Sequence, residues 1–228
     1  MNKLGTITQF FSDNRNTPDV WFEYLKNYKS IPNKSKDTEK FIALDMWYQT
    51  LDLGKGYVTH SELIQIMDWK LTRGKMRPLL NKIKNLDQQI VVNATATGLD
   101  HIKDTLNINT DVGTITAAIN AVCEPLNGVG PATASAVLAR YNLSIPFMSD
   151  AGLIAVGLTN SKGKLDYTVA TYIKYYTAIT NKVNQLNQIN IQGINNQNII
   201  VQNNYVWTAW AVELVLHMVY SHSQVAMK

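Results

Sequence analysis

The stretch LNGVGPATASAVL (residues 126–138), followed by IPFMSD (residues 145–150), decides the fold. It predicts two helices joined by a tight turn at Gly128-Val129-Gly130. Glycine permits positive φ and the close approach of another backbone. Pro131 suits the first position of the second helix, where its missing N–H costs nothing. The N–H groups at the start of such a helix favour an anion, so the stretch predicts a helical hairpin that can hold a phosphate.

This hairpin resembles the helix-hairpin-helix of the DNA glycosylase superfamily whose members carry a Gly/Pro-rich loop and an essential aspartate. The family pattern is hydrophobic-x-Gly-hydrophobic-Gly-x-x-x-Ala, then a helix, a short loop and the aspartate. Gly128 and Gly130 match the glycines, Ala134 the alanine, Pro146 the loop and Asp150 the aspartate. The resemblance implies an all-α, two-lobed fold that binds double-stranded DNA, with Asp150 as the catalytic residue.

One position departs from the family members that also cut the DNA backbone. Those members carry a lysine two residues after the second glycine, where this chain has Ala132, and no lysine occurs between Leu126 and Asp150. The resemblance therefore implies a monofunctional DNA glycosylase, which removes a damaged or modified base by hydrolysis in base-excision repair. The alternative is a non-catalytic DNA-binding or repair-associated module that keeps the glycosylase fold.

The chemistry of glycosidic cleavage gives Asp150 a role. The transition state resembles an oxocarbenium ion, so positive charge builds on the sugar. A fixed carboxylate at that charge stabilises the transition state more than the ground state, and it can orient or deprotonate a water. The structural alternative is that Asp150 caps the helix that starts at Ala151, since aspartate is a favoured N-cap.

The hairpin predicts a grip on DNA that does not depend on base sequence. One phosphate would be held by N–H groups of the turn and of the next helix. The predicted contacts are at Gly128, Val129, Gly130 and Thr133. The alternative is a tight helix–helix turn that binds no ligand.

The segment from Asp68 to Pro78 is a second candidate for DNA contact, because it places four cations and a tryptophan at one junction. Trp69 could stack on a base, and Lys70, Arg73 and Arg77 could meet phosphates. This segment is similar to one beside the hairpin in uncharacterised eukaryotic members of the family. The alternative is a buried tryptophan next to a solvated basic turn.

The chain offers few ligands for a cofactor. Its one cysteine, Cys123, lies on an apolar face and predicts a packed thiol, so the four-cysteine iron–sulfur cluster of some family members cannot form. The four histidines show no metal-binding spacing. The resemblance allows a monovalent cation at the hairpin and implies no other cofactor.

Composition fits a globular protein with a nucleic-acid partner. The formal net charge is +4, and charged residues make up 17% of the 228 positions. The N-terminus shows no secretory signal and the chain has no run of eighteen apolar residues, which predicts an intracellular protein without membrane contact. In a eukaryotic cell, a DNA partner places it in the nucleus; protein partners cannot be predicted.

Helical periodicity covers almost the whole chain. The apolar run Ile90-Val91-Val92 is the best strand candidate, but we interpret it as helix because helices surround it. Residues 187–204, rich in Asn and Gln, predict a polar loop between a long helix over residues 166–186 and a last helix over residues 205–222. By the resemblance, residues 57–144 form the hairpin lobe, and residues 1–56 and 145–228 form the second lobe.

Overall fold

A computed structural model describes residues 3–28, 38–74, 79–105, 110–160, 162–195 and 205–225. Within these ranges the protein is all-α, and the one β feature is an isolated antiparallel bridge between Thr159 and Leu165. The helices are α1 (Lys3–Ser12), α2 (Pro18–Lys26), α3 (Thr38–Thr50), α4 (His60–Thr72), α5 (Leu80–Lys84), α6 (Gln88–Asp100), α7 (Val112–Cys123), α8 (Pro131–Tyr141), α9 (Asp150–Ala155), α10 (Val169–Asn195) and α11 (Ala209–Val225).

Local capping signals explain several of the helix starts. The Thr59 side chain accepts from the Glu62 N–H, and Glu62 accepts in return from the Thr59 N–H, which completes the capping box before α4. Asp111 caps α7 through the N–H of Thr114. The apolar run at Ile90 lies inside α6, so its interpretation as helix is confirmed.

Three boundaries differ from the sequence predictions. Helix α1 was not predicted, although its residue Ile7 is fully buried. Helix α10 continues to Asn195, so the first half of the predicted polar loop is helical; residues 196–204 lie outside the described ranges. Helix α11 begins at Ala209 rather than at residue 205.

One large hydrophobic core holds the described helices together. Helix α6 packs on α7, and α7 on α8, while α4 packs on α3, α5 and α8. Helix α11 packs on α1, α2, α9 and α10. Helix α10 also contacts α7 and α8, so core packing continues between the residue ranges of the two predicted lobes. The division into lobes stays a prediction.

Cys123 lies at the end of α7, half-buried, and packs against the core. Burial, assisted by the Glu124 carboxylate, raises the pKa of its thiol to about 12. The thiol is therefore protonated at neutral pH and is a packing group, as the sequence predicts.

Two sets of buried polar contacts link distant elements: one joins Tyr28, just after α2, to α3 and α4, and the other joins the end of α4 to α11. The Asp45 carboxylate accepts from Trp69 Nε1 at 2.9 Å and from the Tyr28 hydroxyl at 3.1 Å. Nearby, Arg73 and Glu213 form an ion pair in which both side chains are fully buried. The ion pair reduces the cost of burying two charges in the core, although Arg73 Nε and Nη1 have no hydrogen-bond partner among the described residues.

His217 on α11 makes protein stability depend on pH. Burial, and then the Arg73 charge, lower the pKa of His217 well below its ordinary value of 6.5. As the pH falls below about 6.5, the unfolded chain binds a proton that the folded state does not bind, so stability falls by up to about 1.4 kcal/mol per pH unit. Urea unfolding at pH 7 and pH 5 should show this loss. His217→Met should reduce this loss of stability between pH 7 and pH 5. His101→Gln, at an exposed histidine, should leave the loss unchanged. Equal losses in the wild type and both variants would contradict the role given to His217.

Candidate functional site

The hairpin turn requires glycine at one of its two positions. Gly128 has φ +90°, and a Cβ there would lie 2.9 Å from Lys82 Cβ. Gly130 is the N-cap of α8 with φ −114°, and a Cβ there would meet no atom within 4 Å. The expectation of positive φ therefore holds for Gly128 and is wrong for Gly130, where an ordinary extended backbone meets open space.

The available N–H groups of the hairpin differ from those predicted. The Val129 N–H donates to the Leu126 carbonyl at 2.9 Å, and the Thr133 N–H donates to the Gly130 carbonyl at 2.8 Å. Both N–H groups thus already have an intramolecular acceptor, which argues against Val129 and Thr133 as phosphate contacts. Among the described residues, the N–H groups of Gly128, Gly130 and Ala132 have no intramolecular acceptor. Ala132 is thus a further available donor that the sequence analysis did not name, although its place after Pro131 in the first turn of the helix predicts an N–H without an intrahelical acceptor.

Asp150 is the first residue of α9 and not its cap. The Ser149 hydroxyl accepts from the Gly152 N–H at 3.0 Å, so Ser149 caps the helix and the capping role predicted for Asp150 is wrong. The Asp150 carboxylate is half-buried at the positive end of the helix, where negative charge is favoured. The Asp150 side chain is therefore not needed to cap α9.

Two residues that the sequence analysis missed define the surroundings of this carboxylate. The Tyr167 hydroxyl donates to Asp150 Oδ1 at 2.5 Å. A Cβ at Gly74 would lie 3.2 Å from Asp150 Oδ2, so glycine leaves room beside the carboxylate. No motif could have identified Tyr167, because it begins a tyrosine-rich region whose spacing is typical of a helix core.

One pocket contains both Asp150 and the start of α8. Its volume is about 100 Å³, several times the space of about 10–15 Å³ that one water needs. The pocket is lined by Lys70, Leu71, Arg73, Gly74, Leu79, Gly130, Ala132, Thr133, Phe147, Met148, Ser149, Asp150 and Tyr167. The fold therefore brings the glycine hairpin and the aspartate, twenty residues apart in sequence, to one cavity.

The structure corrects the prediction for Trp69. Its side chain is fully buried and stacks on Tyr48, with 3.7 Å between the ring centroids. Its indole N–H donates to Asp45, so both its face and its polar atom are occupied within the core. Trp69 is a core residue and is not available to stack on a base.

Arg73 is also buried, which corrects its prediction as a phosphate contact. Its Nη2 lies 3.0 Å from both Glu213 oxygens, and its guanidinium lies 5.0 Å from the centre of the Trp69 ring. Burial, the largest single influence, lowers the pKa of Arg73, but the charges of Glu213, Tyr28 and Asp45 and the hydrogen bond with Glu213 together outweigh burial and raise the pKa. The whole residue is 5% exposed and its side chain 0%, so Arg73 lines the pocket with its backbone.

The structure describes Lys70, one of the two remaining predicted cations, but not the other, Arg77. Lys70 is half-buried at the end of α4 and lines the Asp150 pocket. Arg77 lies outside the described residues. Lys82, which the sequence analysis passed over, is exposed, and its side-chain stem lies against Gly128 of the hairpin.

The described residues contain no cluster of three or more His, Cys, Asp or Glu side chains that could hold a metal ion. A monovalent cation at the hairpin would instead need main-chain carbonyls. The carbonyls of Leu126 and Gly130 accept backbone N–H groups, and a carbonyl oxygen has a second lone pair, so a cation at the hairpin stays a prediction.

Comparison of the sequence with models of protein families gave no match, and neither did comparison with curated proteins or with solved structures. Among the described helices, none combines the length and apolar character needed to cross a membrane. The helix-hairpin-helix resemblance therefore enters the functional argument as a proposal, alongside the geometry of the pocket.

Proposed function

We propose that the protein is a DNA-binding, monofunctional DNA N-glycosylase that removes a damaged or modified base in base-excision repair. The observation that carries this proposal is the shared pocket, in which the start of α8 and the Asp150 carboxylate lie together. A base flipped from duplex DNA needs both elements at one place: a grip on the backbone and a charge at the sugar.

Asp150 stabilises the sugar as the glycosidic bond breaks. Its carboxylate faces the developing positive charge and orients the attacking water. The Tyr167 hydrogen bond holds one oxygen in a fixed direction and leaves the other oxygen for this role. Because Ala132 stands at the family's lyase position, base release proceeds by hydrolysis.

The hairpin holds a phosphate of the DNA backbone. The N–H groups of Gly128, Gly130 and Ala132 supply hydrogen bonds, and α8 supplies the positive end of its dipole. Lys82 lies beside Gly128 and adds a cation at the same surface. Contacts of this kind give an affinity for DNA that does not depend on the base sequence.

The alternative function is a non-catalytic DNA-binding module of the same fold. Two observations favour it: Trp69 is buried and cannot stack on a base, and the Tyr167 hydroxyl occupies one oxygen of Asp150. The module would bind duplex DNA with the affinity of the enzyme but release no base.

A panel of duplexes, each with one altered base, tests the proposal. We expect base release from at least one duplex, detected by mass spectrometry of the free base. We also expect the logarithm of the DNA affinity to fall linearly with the logarithm of salt concentration. Binding without release would support the module instead, and a salt slope near zero would contradict both functions.

Substitutions at the two hairpin glycines should distinguish an effect on DNA binding from an effect on folding. Gly130→Val should leave the thermal midpoint nearly unchanged, since a Cβ meets open space there, but it should lower DNA affinity by about tenfold or more through crowding of the phosphate. Gly128→Val should instead lower stability, because of its positive φ and the contact with Lys82. Fluorescence anisotropy and circular dichroism measure the two effects; a folded Gly130→Val protein with normal affinity would remove the hairpin from the interface.

A further inference from the structure

Lys70 shares the pocket with Asp150. Among the described residues that line this pocket, Asp150 is the only carboxylate, whereas the lining includes the half-buried Lys70 and the start of α8. The N-terminus of a helix carries a partial positive charge. The pocket lining thus combines one carboxylate, suited to a positive sugar, with Lys70, which suits a negative partner next to the phosphate proposed at the start of α8.

We propose that the Lys70 ammonium stabilises the negative charge on the departing base, so that the substrates are uncharged bases that leave as anions. The inference rests on the proposed function and names its substrate class. The bond between C1′ and the base nitrogen breaks, and its electron pair leaves with the base. Water adds to C1′ and gives its proton to the Asp150 carboxylate, while the base leaves as an anion beside the Lys70 ammonium and then takes a proton from solvent; loss of the Asp150 proton to solvent restores the site.

The same charges disfavour bases that are already cationic, such as N-alkylated purines. A cationic base departs as a neutral molecule and gains nothing from an ammonium group beside it. Cationic ligands bind well where an exposed aromatic face receives them. Here Trp69 is fully buried, and the Phe147 ring already has the Arg73 guanidinium 5.4 Å from its centre. Tyr167 is the other aromatic residue of the lining, and its hydroxyl is bonded to Asp150. The described lining therefore presents no set of open aromatic faces around a cation, which favours uncharged substrates.

Single-turnover base release at saturating protein tests the role of Lys70 separately from DNA binding. The duplexes carry uracil, 5-fluorouracil, which is the better leaving group of the two, or 7-methylguanine, which is cationic. Lys70→Met should slow uracil release by about 100-fold, slow 5-fluorouracil release less, and leave any 7-methylguanine release undiminished. Lys70→Arg, which keeps the charge, should recover most of the uracil rate. Lys174→Met, at an exposed lysine that does not line the pocket and lies outside the proposed DNA contacts, should leave the single-turnover rate unchanged on every duplex.

Other results would overturn the inference. An equal loss on all three duplexes would make Lys70 merely structural, and wild-type release of 7-methylguanine without uracil would refute the substrate class while leaving the glycosylase proposal intact. Release from no duplex, either among these three or in the wider panel, would refute both proposals. Borohydride treatment with an abasic duplex should trap no adduct; a trapped species that Lys70→Met abolishes would make Lys70 a nucleophile instead of a leaving-group stabiliser.

Discussion

Asp150→Asn is expected to slow base release by about 10²- to 10³-fold while DNA affinity stays equal or rises slightly. The substitution keeps the size of the side chain and an oxygen that can accept from Tyr167, but it removes the charge that faces the sugar. Loss of a negative charge near DNA does not weaken binding. Folding should be unaffected, because Ser149 provides the cap of α9.

Asp166→Asn is the matched control for this experiment. Asp166 is an exposed aspartate adjacent to Tyr167, and its carboxylate accepts from the hydroxyls of Thr168 and Thr171 rather than lining the pocket. It should release base at the wild-type rate. If Asp150→Asn also released base at that rate, Asp150 would not be the catalytic carboxylate.

Arg73→Met should produce the largest loss of stability, about 3–5 kcal/mol, because it leaves the Glu213 carboxylate buried without its partner. The double variant Arg73→Met/Glu213→Leu should recover much of this loss, since an apolar pair removes the uncompensated charge. Urea unfolding at neutral pH gives the free energies for both proteins.

An exposed ion pair supplies the comparison. Lys103 lies 2.6 Å from Asp100 on the surface, and Lys103→Met should leave the urea midpoint nearly unchanged, since exposed pairs add little to stability. If Arg73→Met were as stable as Lys103→Met, the ion pair with Glu213 would not contribute to the fold as described.

The sequence predicted what local signals determine. The glycine turn, Pro131 and the aspartate caps fix the starts of α7 and α8 within a few residues, so the hairpin could be recognised directly. The resemblance supplied Asp150, and the structure adds the pocket that joins it to the hairpin.

The burial of Trp69 and Arg73 could not be predicted from local signals in the same way. Whether Arg73 is solvated depends on Glu213, which is 140 positions away in the sequence. Whether Trp69 is exposed depends on Tyr48 and Asp45 in a separate helix. A basic, aromatic segment looks the same in sequence whether its partner is a distant carboxylate in the core or a phosphate in solution.

The ion pair between Arg73 and Glu213 also has a thermodynamic consequence for ligand occupancy. Arg73 precedes Gly74, which lines the pocket with Asp150, so the ion pair connects the wall of the pocket to the last described helix. A molecule that binds this pocket binds only the folded protein, in which α11 is packed in place. Its binding free energy therefore also stabilises the packing of α11. At a hundred times its Kd such a molecule adds about 2.7 kcal/mol to the free energy of unfolding. Amide hydrogen exchange in α11 should therefore slow when DNA is bound, although the proposed contacts with DNA lie on other helices.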